Sequence, residues 1–207
     1  RYVMVKLSPM LDISAALSVL RHVSEVHVVS VKGECKELLF VLDKLHEGQP
    51  VYYAVNLGLS DQIFKCTHEE KNRALLRVAS EHEASACATY IYEPHASILK
   101  AGLQDVLCER YAVEKLHPMS NLFVSSSPVQ DFPGRGFEIV ASCGFGKKEL
   151  RAMLAGVTKA NITVRNFPAS VAELRKKLHL AEGGDVYLFA TTVADGSHRL
   201  IRCIKHG

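Results

Sequence analysis

The order of strands and helices in the sequence predicts a mixed α/β protein built from more than one part. Residues 2–31 contain a strand, a helix and a second strand, the order of a βαβ unit. Residues 136–204 have the order β-α-β-α-β-β, which suits a compact α/β sandwich. The 207 residues are 48% apolar and 23% charged, which excludes long disorder, collagen and coiled coil, and fits one large domain or two small ones.

The first βαβ unit is carried by apolar strands and one capping signal. The strand at residues 2–7 ends at Ser8 and Pro9, and Asp12 can cap the helix that follows. We expect the β-branched strand at residues 25–31 to lie parallel to the first, both being buried. Residues 37–42 fit either a helix or a strand, and a strand that forms a hairpin with the preceding one is favoured.

The middle of the chain predicts a small antiparallel sheet and then helices. The two strands are residues 51–57 and 61–66, and Thr67 with Glu70 forms a capping box, T-x-x-E. Residues 80–89 are interpreted as a loop or domain joint. A short strand at 90–92 precedes a helix at 96–111 that is broken near Gly102, and a domain boundary is expected at residues 125–134.

The last part of the chain has the clearest signals. Ser170 and Glu173 form a second capping box, and Asp195-Gly196 is a strong hairpin signal. These features sit among predicted strands and helices, which are residues 136–142, 147–154, 161–165, a helix from Ser170, 186–193 and 198–204.

Charge is distributed unevenly along the chain. Residues 1–132 carry 13 Lys/Arg against 16 Asp/Glu, a balance of −3, whereas residues 133–207 carry 12 against 6, a balance of +6. A basic terminal domain suits an anionic partner such as nucleic acid. A basic surface with no dedicated partner remains an equal alternative.

One stretch in the basic domain combines strand and polar residues. Alternation along the strand at 161–165 puts Asn161, Thr163 and Arg165 on one face, and the next helix adds further basic residues. Such a set can bind phosphates and a sugar or base edge, although a solvated strand face is the alternative. The candidate RNA-binding residues are Lys159, Asn161, Arg165, Asn166, Arg175 and Lys176.

A second candidate site follows the first strand. Ligands of open α/β sheets bind beyond the carboxyl ends of the strands, where Lys6, Ser8, Pro9 and Asp12 lie. The alternative is a plain strand-to-helix connection, and no catalytic role is assigned to any of the four. The segment Gly144 to Lys148 fails as a phosphate-binding P-loop because its glycine spacing and its last residue are wrong.

Cysteine usage and hydropathy exclude several classes. The six cysteines form no CxxC pair and no zinc-finger spacing, so we expect reduced, buried thiols, no metal and a cytoplasmic location. The longest apolar run, residues 38–42, is far too short to span a membrane, and we expect no signal peptide before the first strand. The chain is interpreted as part of a longer protein.

Seven segments together resemble a known family. They are KLSPMLDI at 6–13, ECKELLF at 34–40, YEP at 92–94, LKAG at 99–102, DFPGR at 131–135, KANITVRNFP at 159–168 and GGDVYLFAT at 183–191. The chain is similar to the C-terminal portion of bacterial class I S-adenosylmethionine-dependent methyltransferases that carry a ferredoxin-like insert and end in a THUMP-like domain.

The resemblance implies a division into four parts. Residues 1–48 correspond to the end of a Rossmann-like methyltransferase domain, 49–92 to the ferredoxin-like insert, 93–134 to a helical connection and 135–207 to the THUMP-like domain. It further implies an RNA substrate, such as tRNA, with the THUMP-like domain as the binding module. The motifs that hold S-adenosylmethionine are absent from this chain, so we expect it to bind no cofactor and to be inactive alone.

Two other functions stay open at this point. One is a non-catalytic module that binds RNA or protein, and the other is a methyltransferase of a small molecule. The first would expose a large apolar patch where residues 1–45 lack sheet neighbours.

Overall fold

A computed structural model describes residues 1–58, 61–80 and 88–206. The chain divides into two compact units. Unit 1 contains residues 1–75 and 94–110, and unit 2 contains residues 76–93 and 111–207. The chain therefore enters unit 2, returns to unit 1 and enters unit 2 again.

Unit 1 is a five-stranded sheet with short helices. Its elements are β1 (Tyr2–Leu7), α1 (Ile13–Val19), β2 (Val23–Val31), β3 (Glu34–Asp43), β4 (Val51–Leu57), β5 (Gln62–Cys66), α2 (His68–Arg73), α3 (Ala96–Ala101) and α4 (Gln104–Tyr111). The strand order is β1-β3-β2-β4-β5. Only β2 and β4 pair in parallel, and the other pairs are antiparallel.

The sheet of unit 1 is buried on one face only. Val26, Val28, Leu38 and Phe40 are fully buried on that face, against which α3 packs. On the opposite face, here called the open face, every side chain is half-buried or exposed. The registers of the strands align Lys6, Leu39, His27, Tyr53 and Lys65 across it.

The expected pairing of the first two strands is wrong in one respect. β1 and β2 run in the same direction, but β3 lies between them and pairs with both. The cause is local, because Lys32 and Gly33 have φ of 51° and 81° and close a tight hairpin that lays β3 beside β2. This confirms the hairpin and the strand assignment of residues 37–42.

The expected burial of β1 is also wrong. Tyr2, Val3 and Met4 are 73%, 51% and 63% exposed, since β1 is the edge of the sheet. By contrast, β2 lies inside the sheet and buries alternate residues.

The predicted antiparallel pair β4 and β5 is confirmed, but it continues the first sheet through β2. The five-stranded sheet of unit 1 thus continues across residue 48. The predicted break near Gly102 separates α3 from α4, and its φ of 68° ends α3 in the left-handed region. The joint predicted at residues 80–89 lies largely outside the described residues.

Unit 2 contains a seven-stranded sheet in the order β10-β11-β12-β9-β6-β8-β7. The elements are β6 (Tyr90–Pro94), β7 (Glu114–Lys115), β8 (Phe123–Ser125), β9 (Gly134–Cys143), α5 (Lys147–Met153), β10 (Asn161–Arg165), α6 (Val171–Leu178), β11 (Val186–Thr192) and β12 (His198–Lys205). The β-α-β-α-β-β order from β9 onward is confirmed, with β10 and β11 parallel and β11 and β12 forming the predicted hairpin.

Both faces of the terminal strands are covered. On one face, Leu150 of α5 and Leu174 of α6 pack with Ile162 and Leu188. On the other, Phe137, Phe189 and Ile201 join residues of β6 and β8 in a second core. The fold is thus mixed α/β throughout, as predicted. None of the described helices is long and apolar enough to cross a membrane.

Candidate nucleic-acid interface

Helix α6 presents the densest group of basic residues. Ser170 caps its N-terminus and exchanges hydrogen bonds with Glu173, whose carboxylate accepts from the Ser170 backbone at 2.7 Å. These hydrogen bonds from Ser170 lower the pKa of Glu173. The acidic side chain of Glu173 is thus held at the N-terminus of the helix. The last turn carries Arg175, Lys176 and Lys177. Cations at this end of a helix complement the helix dipole.

An open groove runs along this last turn. It has a volume of about 630 Å³ and is lined by Ala172, Arg175, Lys176, His179 and Leu180. His179 ends the helix with φ of 55°. The structure therefore places Arg175 and Lys176, both predicted site residues, on one shallow basic surface.

A second basic groove lies on α5. Lys147, Lys148, Arg151 and Ala152 line about 460 Å³ of open space. Lys147 and Lys148 were not among the residues predicted to bind RNA, because the segment that contains them fails as a P-loop. The signal was the K-K-x-x-R spacing, which puts the first lysine and Arg151 on one helical face.

The predicted residues of β10 fall into two groups at opposite ends of the strand. At its start, Arg175 Nη1 donates to the Ala160 carbonyl at 3.3 Å, and Asn161 Nδ2 donates to the Gly184 carbonyl at 2.7 Å. Next to them, the backbone of Lys159 forms an isolated parallel β-bridge with Ala181. Arg165 and Asn166 lie at the other end, so Lys159 and Arg165 are about 20 Å apart along the extended chain.

Arg165 is engaged by a buried carboxylate. Its Nη2 donates to Oε1 of Glu93 at 2.5 Å, while Nη2 of Arg135 donates to Oε2. The Glu93 side chain is 6% exposed, and the side chains of Arg165 and Arg135 are 40% and 52% exposed. Sequence reasoning missed Glu93, because nothing local marks it as the partner of two distant arginines. Arg165 therefore has a structural role whatever else it contacts.

Asn166 stabilises the loop after β10. It has φ of 49°, and its carbonyl accepts from Thr192 Oγ1 at 2.5 Å. Its Nδ2 lies 3.1 Å from Nδ1 of His117. The predicted common face of β10 is supported, because Ile162 and Val164 pack on the helix side of the sheet and leave Asn161, Thr163 and Arg165 on the other.

The residues at the carboxyl end of β1 make local contacts. Lys6 Nζ lies 2.9 Å from Oε1 of Glu37, Ser8 Oγ accepts from the Met10 backbone, and Asp12 caps α1 by accepting from Ala15 N at 2.8 Å. Pro9 lies in the turn between them.

Cys66 and Cys203 are buried side chains. Burial raises the pKa of Cys66 to about 11 and that of Cys203 to about 12, so both are thiols at neutral pH. Within residues 1–58, 61–80 and 88–206, no group of three or more His, Cys, Asp or Glu residues could hold a metal ion.

Comparisons with known proteins support the domain content. Residues 134–205 match the THUMP domain-like family, and residues 90–133 match a ferredoxin-like domain family. The ferredoxin-like match thus falls mainly on residues 93–134, which the sequence had assigned to a helical connection, and overlaps the expected range 49–92 only at residues 90–92. The chain matches no curated protein.

One solved structure is similar over the whole chain. It is the crystal structure of a proposed methyltransferase from Porphyromonas gingivalis W83, with 36% sequence identity and a TM-score of 0.89. The match covers 100% of this chain and 51% of that protein, so the chain spans about half the length of the structure it matches.

Proposed function

We propose that this chain is the substrate-binding portion of an S-adenosylmethionine-dependent RNA methyltransferase. The chain contains a ferredoxin-like domain and a THUMP-like domain, and it matches half of a proposed methyltransferase. Together these findings fit the C-terminal portion of a methyltransferase. The THUMP-like domain binds the RNA. The cofactor is held by residues outside this chain, which alone transfers no methyl group.

The sheet of unit 1 supports the methyltransferase part of this proposal. β1 is an edge strand whose apolar side chains Tyr2, Val3 and Met4 are exposed. An edge of this kind is a liability unless another strand or chain covers it. The carboxyl end of β1 is also the end at which ligands of open α/β sheets bind. A catalytic sheet that continues beyond β1 would both cover the edge and bring substrate to this end.

The observation that carries the RNA part is the pair of basic grooves on the THUMP-like domain. The α5 and α6 grooves contain Lys147, Lys148, Arg151, Arg175 and Lys176, and no ion pair engages any of the five within the described part of the chain. THUMP domains generally bind RNA. Five cations without protein counter-charges fit a phosphate backbone, whose binding gains energy from counterion release.

A salt-dependent titration tests this function. Fluorescently labelled tRNA is titrated with the chain at low and at physiological salt, and binding should weaken as salt rises. The double variant Arg175→Ala, Lys176→Ala should bind several-fold more weakly. The control, Lys44→Ala, removes an exposed lysine of unit 1 and should bind like the unmodified chain. Absence of binding even at low salt would contradict the RNA function.

A protein-interaction module is the second candidate, favoured by the exposed apolar residues of β1. It predicts that a protein partner, and no nucleic acid, is recovered with the chain. Two measurements would distinguish an enzyme portion from a protein-interaction module. They are a methylation assay and a calorimetric titration with S-adenosylmethionine. Both are carried out on this chain and on a longer protein that includes a catalytic half.

A further inference from the structure

Three aromatic side chains form a row on the THUMP-like domain. The rings of Phe145 and Phe167 are 4.8 Å apart between centroids and inclined by 33°, and the ring of His198 meets Phe167 edge-on at 5.0 Å. Phe145 and Phe167 are half-buried and His198 is exposed. We call these three residues the aromatic row.

The aromatic row lies beside basic residues of both helices. Nζ of Lys177 in α6 is 5.5 Å from the centroid of the Phe145 ring. Lys147 and Lys148 of α5 follow Phe145 by two and three residues and are exposed. Lysines of α6 and of α5 thus lie close to the row, the first in space and the others in sequence.

Phe145 packs at the rim of the helix-side core and leaves part of its ring uncovered. Leu150, Ile162 and Leu174 of the same core cluster are at least nine-tenths buried, whereas Phe145 and Phe167 lie at the rim of that cluster. Gly144 and Gly146 flank Phe145, so neither neighbour has a side chain that would cover the ring. The cation that lies over the ring is Nζ of Lys177, and this flexible side chain can move without unfolding the domain.

We propose that an unpaired base of the bound RNA stacks on Phe145, in the position that the Lys177 ammonium group occupies in this structure. Lys177 then turns to a phosphate next to that base, and Lys147 and Lys148 contact neighbouring phosphates. Aromatic side chains recognise unpaired bases by stacking, whereas duplex RNA keeps its bases inside the helix. The inference rests on the proposed function and specifies that the RNA feature bound here is single-stranded.

The test compares two RNAs and two substitutions in the full chain. The probes are a short single-stranded RNA that contains one fluorescent adenine analogue, and the same strand annealed to its complement. Phe145→Leu keeps an apolar side chain against the core but removes the ring, and Phe145→Tyr keeps a ring. Thermal unfolding checks that both variants are folded.

We expect Phe145→Leu to bind the single strand about tenfold more weakly and to lose the fluorescence change of the stacked analogue. Its affinity for the duplex should be unchanged, and Phe145→Tyr should retain single-strand binding. Equal losses on both RNAs, or no loss from Phe145→Leu, would overturn the inference while leaving RNA binding intact. If the unmodified chain binds neither RNA at low salt, the proposed function fails and the inference with it.

Discussion

Arg165 and Glu93 are 72 residues apart in the sequence, and a hydrogen bond of 2.5 Å joins Nη2 of the first to Oε1 of the second. Arg135 binds the other oxygen of the same carboxylate. The pairs connect β6 to β9 and to β10, so the buried carboxylate links three strands of one sheet. A loss of RNA binding in Arg165→Ala must consequently be separated from a loss of folding.

Glu93→Gln should lower the free energy of unfolding of unit 2 by about 2 kcal/mol. The amide cannot pair with two guanidinium groups, although both arginines are exposed enough to be rehydrated, which limits the cost. Chemical denaturation followed by circular dichroism measures the change. Lys6→Ala, which breaks the exposed pair with Glu37, is the control and should cost less than about 0.5 kcal/mol. Equal costs for the two variants would contradict the role given to Glu93.

The Glu70–Arg110 pair should make the stability of unit 1 depend on pH. The hydrogen bond from Arg110 lowers the pKa of Glu70, and Arg110 also lies over the Phe64 ring at 4.4 Å. A carboxyl whose pKa is lower in the folded state contributes fully above its unfolded pKa and loses that contribution as pH falls through the folded pKa.

Glu70→Gln should therefore show a smaller fall in stability than the unmodified chain between neutral pH and about pH 3. Denaturant midpoints across this range give the two profiles. Glu47→Gln, at an exposed position, should follow the unmodified profile. Parallel profiles for Glu70→Gln and the unmodified chain would rule out a contribution of Glu70 to the pH dependence of stability.

Buried thiols should resist alkylation. Cys66 and Cys203 have pKa values raised to about 11 and about 12, and the thiolate is the reactive form. In the native chain at pH 8, iodoacetamide should modify both at least about tenfold more slowly than the half-buried Cys143. Peptide mass spectrometry measures the rates, and denatured chain, in which all three should react alike, is the control. Fast native labelling of Cys203 would be incompatible with the second core of unit 2.

Neutralising the α5 groove should reduce the salt dependence of RNA binding. If Lys147 and Lys148 contact phosphates, the double variant Lys147→Gln, Lys148→Gln should lower the slope of log K against log salt by about 1 to 2 units. The same titration on Lys32→Gln with Lys44→Gln, which removes equal charge from exposed positions outside the THUMP-like domain, should leave the slope unchanged. If both double variants reduced the slope equally, the net charge of the chain, and not the α5 groove, would determine the salt dependence of RNA binding.

The exposed edge of β1 should cause self-association of the isolated chain. Met4 is 63% exposed on an edge strand, and a charged residue at such a position opposes pairing between edges. Met4→Lys should shift sedimentation toward the monomer at high protein concentration, whereas Leu45→Lys, at an exposed loop residue, should not. If the unmodified chain is monomeric at all concentrations, the edge of β1 does not mediate self-association.

Features with local causes could be predicted from the sequence. The caps at Asp12, Thr67 and Ser170 and the hairpin at Asp195 depend on neighbouring residues and occur as expected. The THUMP-like order of elements was predictable for the same reason.

Features that depend on distant partners were not predictable. No periodicity indicates that β3 inserts beside β1, that β4 pairs with β2, or that Arg165 binds Glu93, because each pairing is decided by packing between remote segments. The candidate interface shows the same division. The structure places Arg175 and Lys176 together because they share a helix, whereas the predicted residues of β10 lie at opposite ends of the strand and are separated by its length.

The return of residues 94–110 to unit 1 has a consequence for synthesis on the ribosome. Val28, Leu38 and Phe40 are covered by α3, which is translated after the first residues of unit 2. While those intervening residues emerge, the inner face of the five-stranded sheet lacks its cover and presents apolar surface to solvent or to chaperones. Completion of the first unit is thus delayed until well into the translation of the second, and a nascent chain released between the two would be the species most prone to aggregate.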